Sequence, residues 1–146
     1  QVDKFQHAFG SYVESYLGYR YLRYNGVNKN TALIFGGTLG FFVQTPKEIS
    51  FTETIAVIEE NYDFTPTAFQ NGLQYNAVGE NSGSCKLFAF AQLHHLSKEE
   101  TVSCFGGYYF DDVLEHPESS NHQNIRNFIK TGWNGIRFEG TTLALK

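Results

Sequence analysis

Two copies of one short motif constrain the fold of this chain more than any other feature. A serine is followed three residues later by a glutamate at Ser50–Glu53 and again at Ser97–Glu100. In such a capping box each side chain binds the backbone N–H of the other residue, which predicts a helix start. Apolar residues follow both boxes at helical spacing, so we predict one helix over about residues 50–62 and another that continues towards Pro117.

Short extended segments are predicted between and after these helices. Pro66 breaks any helix, and Asn71–Gly72 is a turn signal, so residues 64–75 are expected to contain an extended piece. Near the end of the chain, residues 135–140 alternate apolar and charged side chains, which is typical of a strand.

Two further helices are predicted from their caps. Ser84 is a candidate N-cap for a helix over residues 85–96, which is so rich in apolar residues that we expect it to be central. Asn121 is a candidate N-cap for a shorter helix that ends at Gly132. The predicted fold class is therefore α+β, predominantly helical, in one small domain with a few short strands.

Residues 1–45 differ from the remainder in charge and texture. They carry four bases against two acids, whereas residues 46–146 carry seven bases against thirteen acids. They are also rich in tyrosine and glycine. We therefore predict an aromatic, glycine-rich helical appendage over residues 1–45, a boundary near Thr45–Pro46 and a separate domain over residues 46–146.

The run over residues 31–44 contains no charged side chain. A membrane-spanning helix needs roughly 17–25 apolar residues, and this run is shorter. Ala32, Gly36 and Gly40 lie four residues apart, a spacing that lets two helices pack closely. Two interpretations stay open: a buried helix-packing segment, or a membrane-associated hairpin.

The head of the chain has a weak resemblance of its own. Asp3, Lys4 and His7, with the tyrosine-rich and glycine-rich segments after them, resemble an uncharacterised bacterial family of membrane-associated, lipoprotein-like proteins over residues 1–48. No signal peptide pattern is present and the chain does not begin with Met, so we expect a fragment or a processed form.

Composition excludes several functional classes. A formal net charge of −4 with a pI near 5.7 argues against a general nucleic-acid binder, which needs surplus Lys and Arg for phosphate contacts. Two cysteines do not make a disulfide scaffold, and neither they nor the histidines have the spacing of a metal site. No cofactor motif is present, so the sequence predicts neither a metal nor a cofactor.

The sharpest chemical candidate is a cysteine–histidine arrangement. Cys85 is predicted in the first turn of a helix, where free N–H groups and the helix dipole favour a thiolate. His122, with Asn124 or with Asp111 or Asp112 as the polar partner, would complete a nucleophilic site if the fold brings them together. The alternative is that Cys85 is a small buried core residue.

A second group of residues has the chemistry of a binding surface. Arg126 and Asn127 are suited to a carboxylate or phosphate, because a guanidinium donates in a bidentate fork. The alternative is an anchor of Arg126 to Asp111, Asp112 or a neighbouring acid. Trp133, flanked by glycines, is predicted as a core or lid aromatic whose N–H needs a partner.

The domain over residues 46–146 resembles the HopJ type III effector family. Blocks in matching order and spacing carry the resemblance: Ile49–Ile58, Tyr62–Phe69, Gly83–Leu93, Cys104–Gly106, His116–Pro117, His122–Phe128 and Gly132–Ile136. The resemblance implies a small bacterial protein, described in plant pathogens as a virulence effector delivered by type III secretion.

This resemblance leads to two functional hypotheses. The first is a protein without enzymatic activity that binds an unidentified partner, such as a host protein, and resides in the bacterial cytoplasm or in a host cell after secretion. The second is a cysteine-dependent hydrolase or transferase that uses Cys85 and His122. Because the segment over residues 43–49 would serve either family, a junction of two unrelated parts also stays open.

Overall fold

In the computed structural model, which describes residues 50–146, the first capping box starts a helix, as the sequence predicts. Helix α1 spans Phe51–Asn61. Ser50 Oγ accepts from the Glu53 backbone N–H at 3.1 Å, and Glu53 Oε2 accepts from the Ser50 backbone N–H at 2.9 Å. The second box is equally complete and starts a short helix at Lys98. Both predictions are confirmed because capping boxes depend on residues only three positions apart.

The rest of the described chain combines helices with short strands, so the α+β prediction is confirmed. After α1, the elements are β1 Tyr62–Phe64, β2 Phe69–Asn71, β3 Gln74–Asn76, α2 Ser82–Leu93, α3 Lys98–Ser103, a π-helical turn Tyr108–Val113, α4 Gln123–Thr131, a 3-10 turn Gly132–Gly135, β4 Ile136–Phe138 and β5 Leu143–Leu145. The predicted appendage over residues 1–45, the boundary at Thr45–Pro46, the segment 31–44 and the junction 43–49 lie outside the described residues.

Two small antiparallel sheets join distant parts of the chain. The first pairs β1 with β5, with Tyr62 opposite Leu145. The second has the order β3-β2-β4, and Phe69 in its central strand lies opposite Phe138. These pairings bring the C-terminal strands beside the strands that follow α1. The strand β5 is absent from the sequence-based prediction, because three residues give too short an alternation to identify.

Helix α2 passes through the centre of the hydrophobic core, as its composition predicts. Buried residues face several directions around it, and a helix that is apolar on many sides must be covered on many sides. Phe88 is fully buried and its ring contacts those of Phe69, Phe105 and Phe128, from β2, the segment after α3, and α4. The core thus holds α2 against both capping-box helices and the three-stranded sheet.

Three predicted helix boundaries are wrong. Helix α2 begins at Ser82 after Asn81, so Ser84 lies inside it and is not its cap. Helix α4 begins after His122, so Asn121 is not its N-cap. The long helix predicted towards Pro117 ends at Ser103, because Gly106 has a φ of +60° and interrupts it before the π-helical turn.

A tyrosine–histidine contact is buried beside α2. The Tyr62 hydroxyl lies 2.6 Å from Nε2 of His94, and both side chains are at most 6% exposed. Burial, and to a smaller extent the neighbouring His95, lowers the pKa of His94 from 6.5 to about 4. The folded protein therefore holds a neutral imidazole at neutral pH.

This depressed pKa predicts a loss of stability in mild acid. Below pH 6.5 His94 binds a proton in the unfolded chain, whereas in the folded chain it binds one only near pH 4. The free energy of unfolding therefore falls as the pH drops from 6.5 to about 4. Between pH 7.5 and pH 5 we expect this residue to lower the free energy of unfolding by about 2 kcal/mol. Urea unfolding at both pH values measures it. The variant His94→Gln should lose less on acidification, and an equal loss in both proteins would contradict the assignment.

Candidate functional site

Two helices begin at residues with a left-handed backbone. Asn81 precedes α2 with a φ of +48°, and His122 precedes α4 with a φ of +52°. Asparagine and histidine are among the few residue types that adopt this conformation with some frequency. Neither side chain caps its own helix, and each instead reaches another part of the fold. The first-turn N–H groups of both helices are left without side-chain acceptors among residues 50–146.

A cavity of about 350 Å³ lies between these two helix starts. We call it the His122 cavity. Its polar lining comes from Gln74, Asn81, Ser84, His122, Gln123 and Asn124. Its remaining lining comes from the rings of Phe51, Phe105 and Tyr108, together with Gly83 and Ile125. The Phe51 ring packs so closely on Gly83 that a Cβ there would come within 2.7 Å of it.

His122 is fixed on two sides within the cavity wall. Its Nε2 lies 2.8 Å from Oδ2 of Asp112, a geometry in which the carboxylate oxygen accepts from the ring N–H. Its ring centroid lies 5.0 Å from that of Tyr108, with 31° between the two planes. The sequence analysis named Asp112 as one polar residue that could complete a site with Cys85 and His122, and the structure brings His122 and Asp112 together without Cys85. Tyr108, which is 46% exposed, was not predicted.

A network of buried asparagines supports the wall of the His122 cavity. Oδ1 of Asn76 accepts from Asn81 at 2.7 Å and from Asn124 at 2.9 Å. Asn71 donates to both the backbone oxygen and Oδ1 of Asn124. Asn71, Asn76 and Asn124 are at most 5% exposed. Buried amides of this kind are costly to leave unpaired, so the network holds both helix starts against β2 and β3.

Arg126 fixes the loop that leads to His122. Its guanidinium makes five hydrogen bonds, all to oxygens of residues 112–121, and four of these acceptors are backbone carbonyls. The shortest joins Nε to the Asn121 carbonyl at 2.6 Å, and Nη2 donates to the His116 carbonyl and to Oδ1 of Asn121 at 2.9 Å each. The predicted anchor to a neighbouring acid therefore takes a different form, since Asp112 contributes its backbone carbonyl.

Comparison with known proteins identifies the family of this chain. The sequence model of the HopJ type III effector protein family matches residues 39–143, which is more than half of the chain. This chain belongs to the HopJ family. Membership makes it an effector-type bacterial protein and suggests secretion into a host cell.

A similar solved structure supports the fold. The crystal structure of the unknown function protein VPA0580 is 56% identical in sequence, with a TM-score of 0.70, and the match covers 74% of this chain and 90% of that chain. A comparison with curated proteins finds no match. The fold is thus shared with a relative whose description names no activity.

The other predicted residues of this HopJ-family chain occupy different places. Asn127 donates to Oε1 of Gln74 at 3.1 Å and so supports one side of the His122 cavity. Trp133 donates from Nε1 to the Leu96 carbonyl at 2.9 Å and packs on Phe128, as expected for a core aromatic. Asp111 is exposed and does not line the cavity.

Cys85 lies outside the His122 cavity. It is 1% exposed, and its Sγ donates to the Thr67 carbonyl at 3.4 Å. Burial raises the pKa of this thiol, which favours the neutral form at pH 7. Within residues 50–146 no hydrogen bond joins Cys85 to His122, so the arrangement gives no support to the cysteine–histidine hypothesis.

The described residues contain neither a metal cluster nor a membrane span. Over residues 50–146, no group of three or more His, Cys, Asp or Glu side chains is placed to hold a metal ion. None of the helices in this range has the length and apolar character needed to cross a membrane.

Sequence reasoning missed the asparagines that build the site. Asn71 was assigned to a turn with Gly72, and the sequence analysis gave Asn76 and Asn81 no role in a site. A polar residue in a segment predicted as a strand was the available signal, because a buried strand position normally carries an apolar side chain. Which amides face one another depends on strand register and on the placement of α4, and neither follows from local sequence.

The first prediction from this site concerns Arg126. Replacing it with Ala removes five part-buried hydrogen bonds that hold the loop over residues 112–121, so we expect about 3 kcal/mol lower stability. Arg126→Lys should be intermediate, because an ammonium keeps the charge without the planar fork. Urea unfolding gives the free energies, and amide exchange in residues 116–122 should accelerate. The matched control is Arg137→Ala, on an exposed position of β4. Equal effects at both positions would contradict the assignment.

The second prediction concerns the reactivity of Cys85. We expect the native thiol to react with a disulfide reagent at neutral pH at least about 100-fold more slowly than the same thiol in denaturant, because it is buried and its pKa is raised. Cys104 is also buried, so mass spectrometry of the labelled peptides must separate the two. Native labelling of Cys85 at the denatured rate would restore it as a candidate nucleophile.

Proposed function

We propose that this HopJ-family protein acts by binding a partner through the His122 cavity. The observation that carries this proposal is His122 in the cavity wall, bonded to Asp112 and with its ring against that of Tyr108. A volume of about 350 Å³ falls within the range of roughly 300–1,000 Å³ typical of sites that enclose small groups. An aromatic wall with a few oriented polar groups is the usual composition of such a site.

The chemistry of the lining indicates what the partner presents. Among the side chains that line the cavity there is neither a lysine, an arginine nor a carboxylate. The donors are side-chain amides, the hydroxyls of Ser84 and Tyr108, and the first-turn N–H groups of α2 and α4. A flat group with hydrogen-bond acceptors therefore fits, with its face on Tyr108 and its acceptors directed at the helix starts.

The cavity is also preorganised for binding. Asn81 and Asn124 are held by Asn76, and Asp112 is held through its backbone carbonyl by Arg126. Side chains whose positions are already restrained lose little conformational entropy when a ligand arrives. Because the family is one of type III effectors, we propose a protein of the host cell as the partner and virulence as the setting.

Selection of displayed peptides on the full chain tests this function. We expect binders whose affinity falls about tenfold or more in Tyr108→Ala and in His122→Ala, since aromatic anchors dominate binding energies. The matched control is Tyr75→Ala, a change at a tyrosine of similar exposure on β3 that does not line the cavity. Isothermal titration calorimetry measures the affinities.

Three results would contradict this function. They are recovery of no saturable binder, equal affinity for wild type and both cavity variants, and an equal loss of affinity in Tyr75→Ala. Circular dichroism and urea unfolding of each variant must accompany the titrations, because Tyr108 also packs on Phe51. A cavity variant that unfolds should be replaced by Tyr108→Leu, which keeps an apolar side chain and removes the aromatic face.

A further inference from the structure

A second cavity lies on the other side of the first turn of α4. It encloses about 330 Å³ and shares only Gln123 with the His122 cavity. We call it the Arg126 groove. Its apolar surface is formed by Val113, Leu114, Pro117 and Ile129, and its two charged side chains are Arg126 and Lys130. Leu114 is 50% exposed there, which leaves an aliphatic surface open to a ligand.

The charge of this groove is opposite to that of its surroundings. Residues 50–146 carry six Lys or Arg against twelve Asp or Glu, yet no acidic side chain lines the groove. Glu115 and Glu118 lie on the same loop outside the lining. Within residues 50–146 neither Arg126 nor Lys130 forms an ion pair with a carboxylate. The groove therefore joins an aliphatic surface to two cations that lack a counter-ion there.

One N–H of Arg126 is available to a ligand. Nη1 carries two hydrogens and makes one hydrogen bond, to the Pro117 carbonyl at 3.1 Å, whereas Nε and Nη2 are fully used. The side chain is only 9% exposed, and it lines the groove. A buried cation that keeps an unused donor beside a cavity is suited to a carboxylate oxygen.

We infer that the Arg126 groove binds the carboxy-terminal residue of a partner chain when that residue is aliphatic. The terminal carboxylate accepts from Nη1 of Arg126 and from the Lys130 ammonium. The aliphatic side chain packs on Leu114 and Ile129. In the last residue of a chain, the carboxylate and the side chain are attached to the same carbon atom. This matches the groove, in which the two cations lie beside the apolar surface. This site is independent of the partner group that enters the His122 cavity.

An NMR titration of the full chain with N-acetyl-leucine tests this inference. We expect saturable shifts of the amide signals of Leu114, Ile129 and Lys130. N-acetyl-leucinamide lacks the carboxylate and N-acetylglycine lacks the side chain, so neither should produce them. The variant Lys130→Gln should weaken binding about fivefold, the upper value for an exposed ion pair. Arg137→Gln removes the same charge at an exposed position outside the groove and should leave affinity unchanged.

Two further ligands identify the occupant. A pentapeptide that ends in leucine with a free carboxylate should bind more tightly than N-acetyl-leucine, whereas octanoate should not. Tighter binding of octanoate would overturn the inference in favour of a fatty acid. Equal binding of the amide or of N-acetylglycine, or no saturable shift, would overturn it outright. Signals of Tyr108 and His122 report the other cavity separately, so a failure here leaves the proposed function to its own test.

Discussion

The side-chain amide of Asn76 is the contact on which the arrangement of the described domain depends. Its Oδ1 accepts from Asn81, before α2, and from Asn124, in the first turn of α4, while its own strand pairs with β2. Each such bond contributes about 1 kcal/mol net, but an unpaired buried amide costs about 1–3 kcal/mol. One asparagine therefore restrains a sheet and two helix starts, and the His122 cavity lies where those starts meet.

Arg126 provides the complementary restraint, acting on a loop that lacks an apolar core of its own. Most residues from 114 to 121 are exposed, so little hydrophobic burial holds them in place. The guanidinium instead binds carbonyl oxygens along the loop, and this limits where Asp112 and His122 can lie. A lysine has no planar fork with which to bind several carbonyls at once. The same side chain thus shapes the wall between the two cavities.

Sequence signals between near neighbours allowed much of the fold to be predicted. The features that were missed depend on contacts between residues far apart in the sequence. The helix starts predicted from the Ser50 and Ser97 capping boxes are correct because the contacting residues in each box are only three positions apart. The caps expected at Ser84 and Asn121 are wrong because the helices begin after Asn81 and His122, whose left-handed backbones direct their side chains to Asn76 and Asp112. The site shows the same division: His122 and Asp112 were identified as residue types, whereas their pairing depends on the π-helical turn.

A single turn of α4 separates the two cavities. Gln123 lines both of them, and Arg126 lies three residues further along α4. One turn of an α-helix advances about 5.4 Å, so groups bound in the two cavities lie within reach of one short segment of chain. Two weak contacts joined in this way act at a high effective concentration, which raises affinity without any new interaction. The two proposed sites, both formed in part by the first turn of α4, would therefore act together on a partner chain that reaches both.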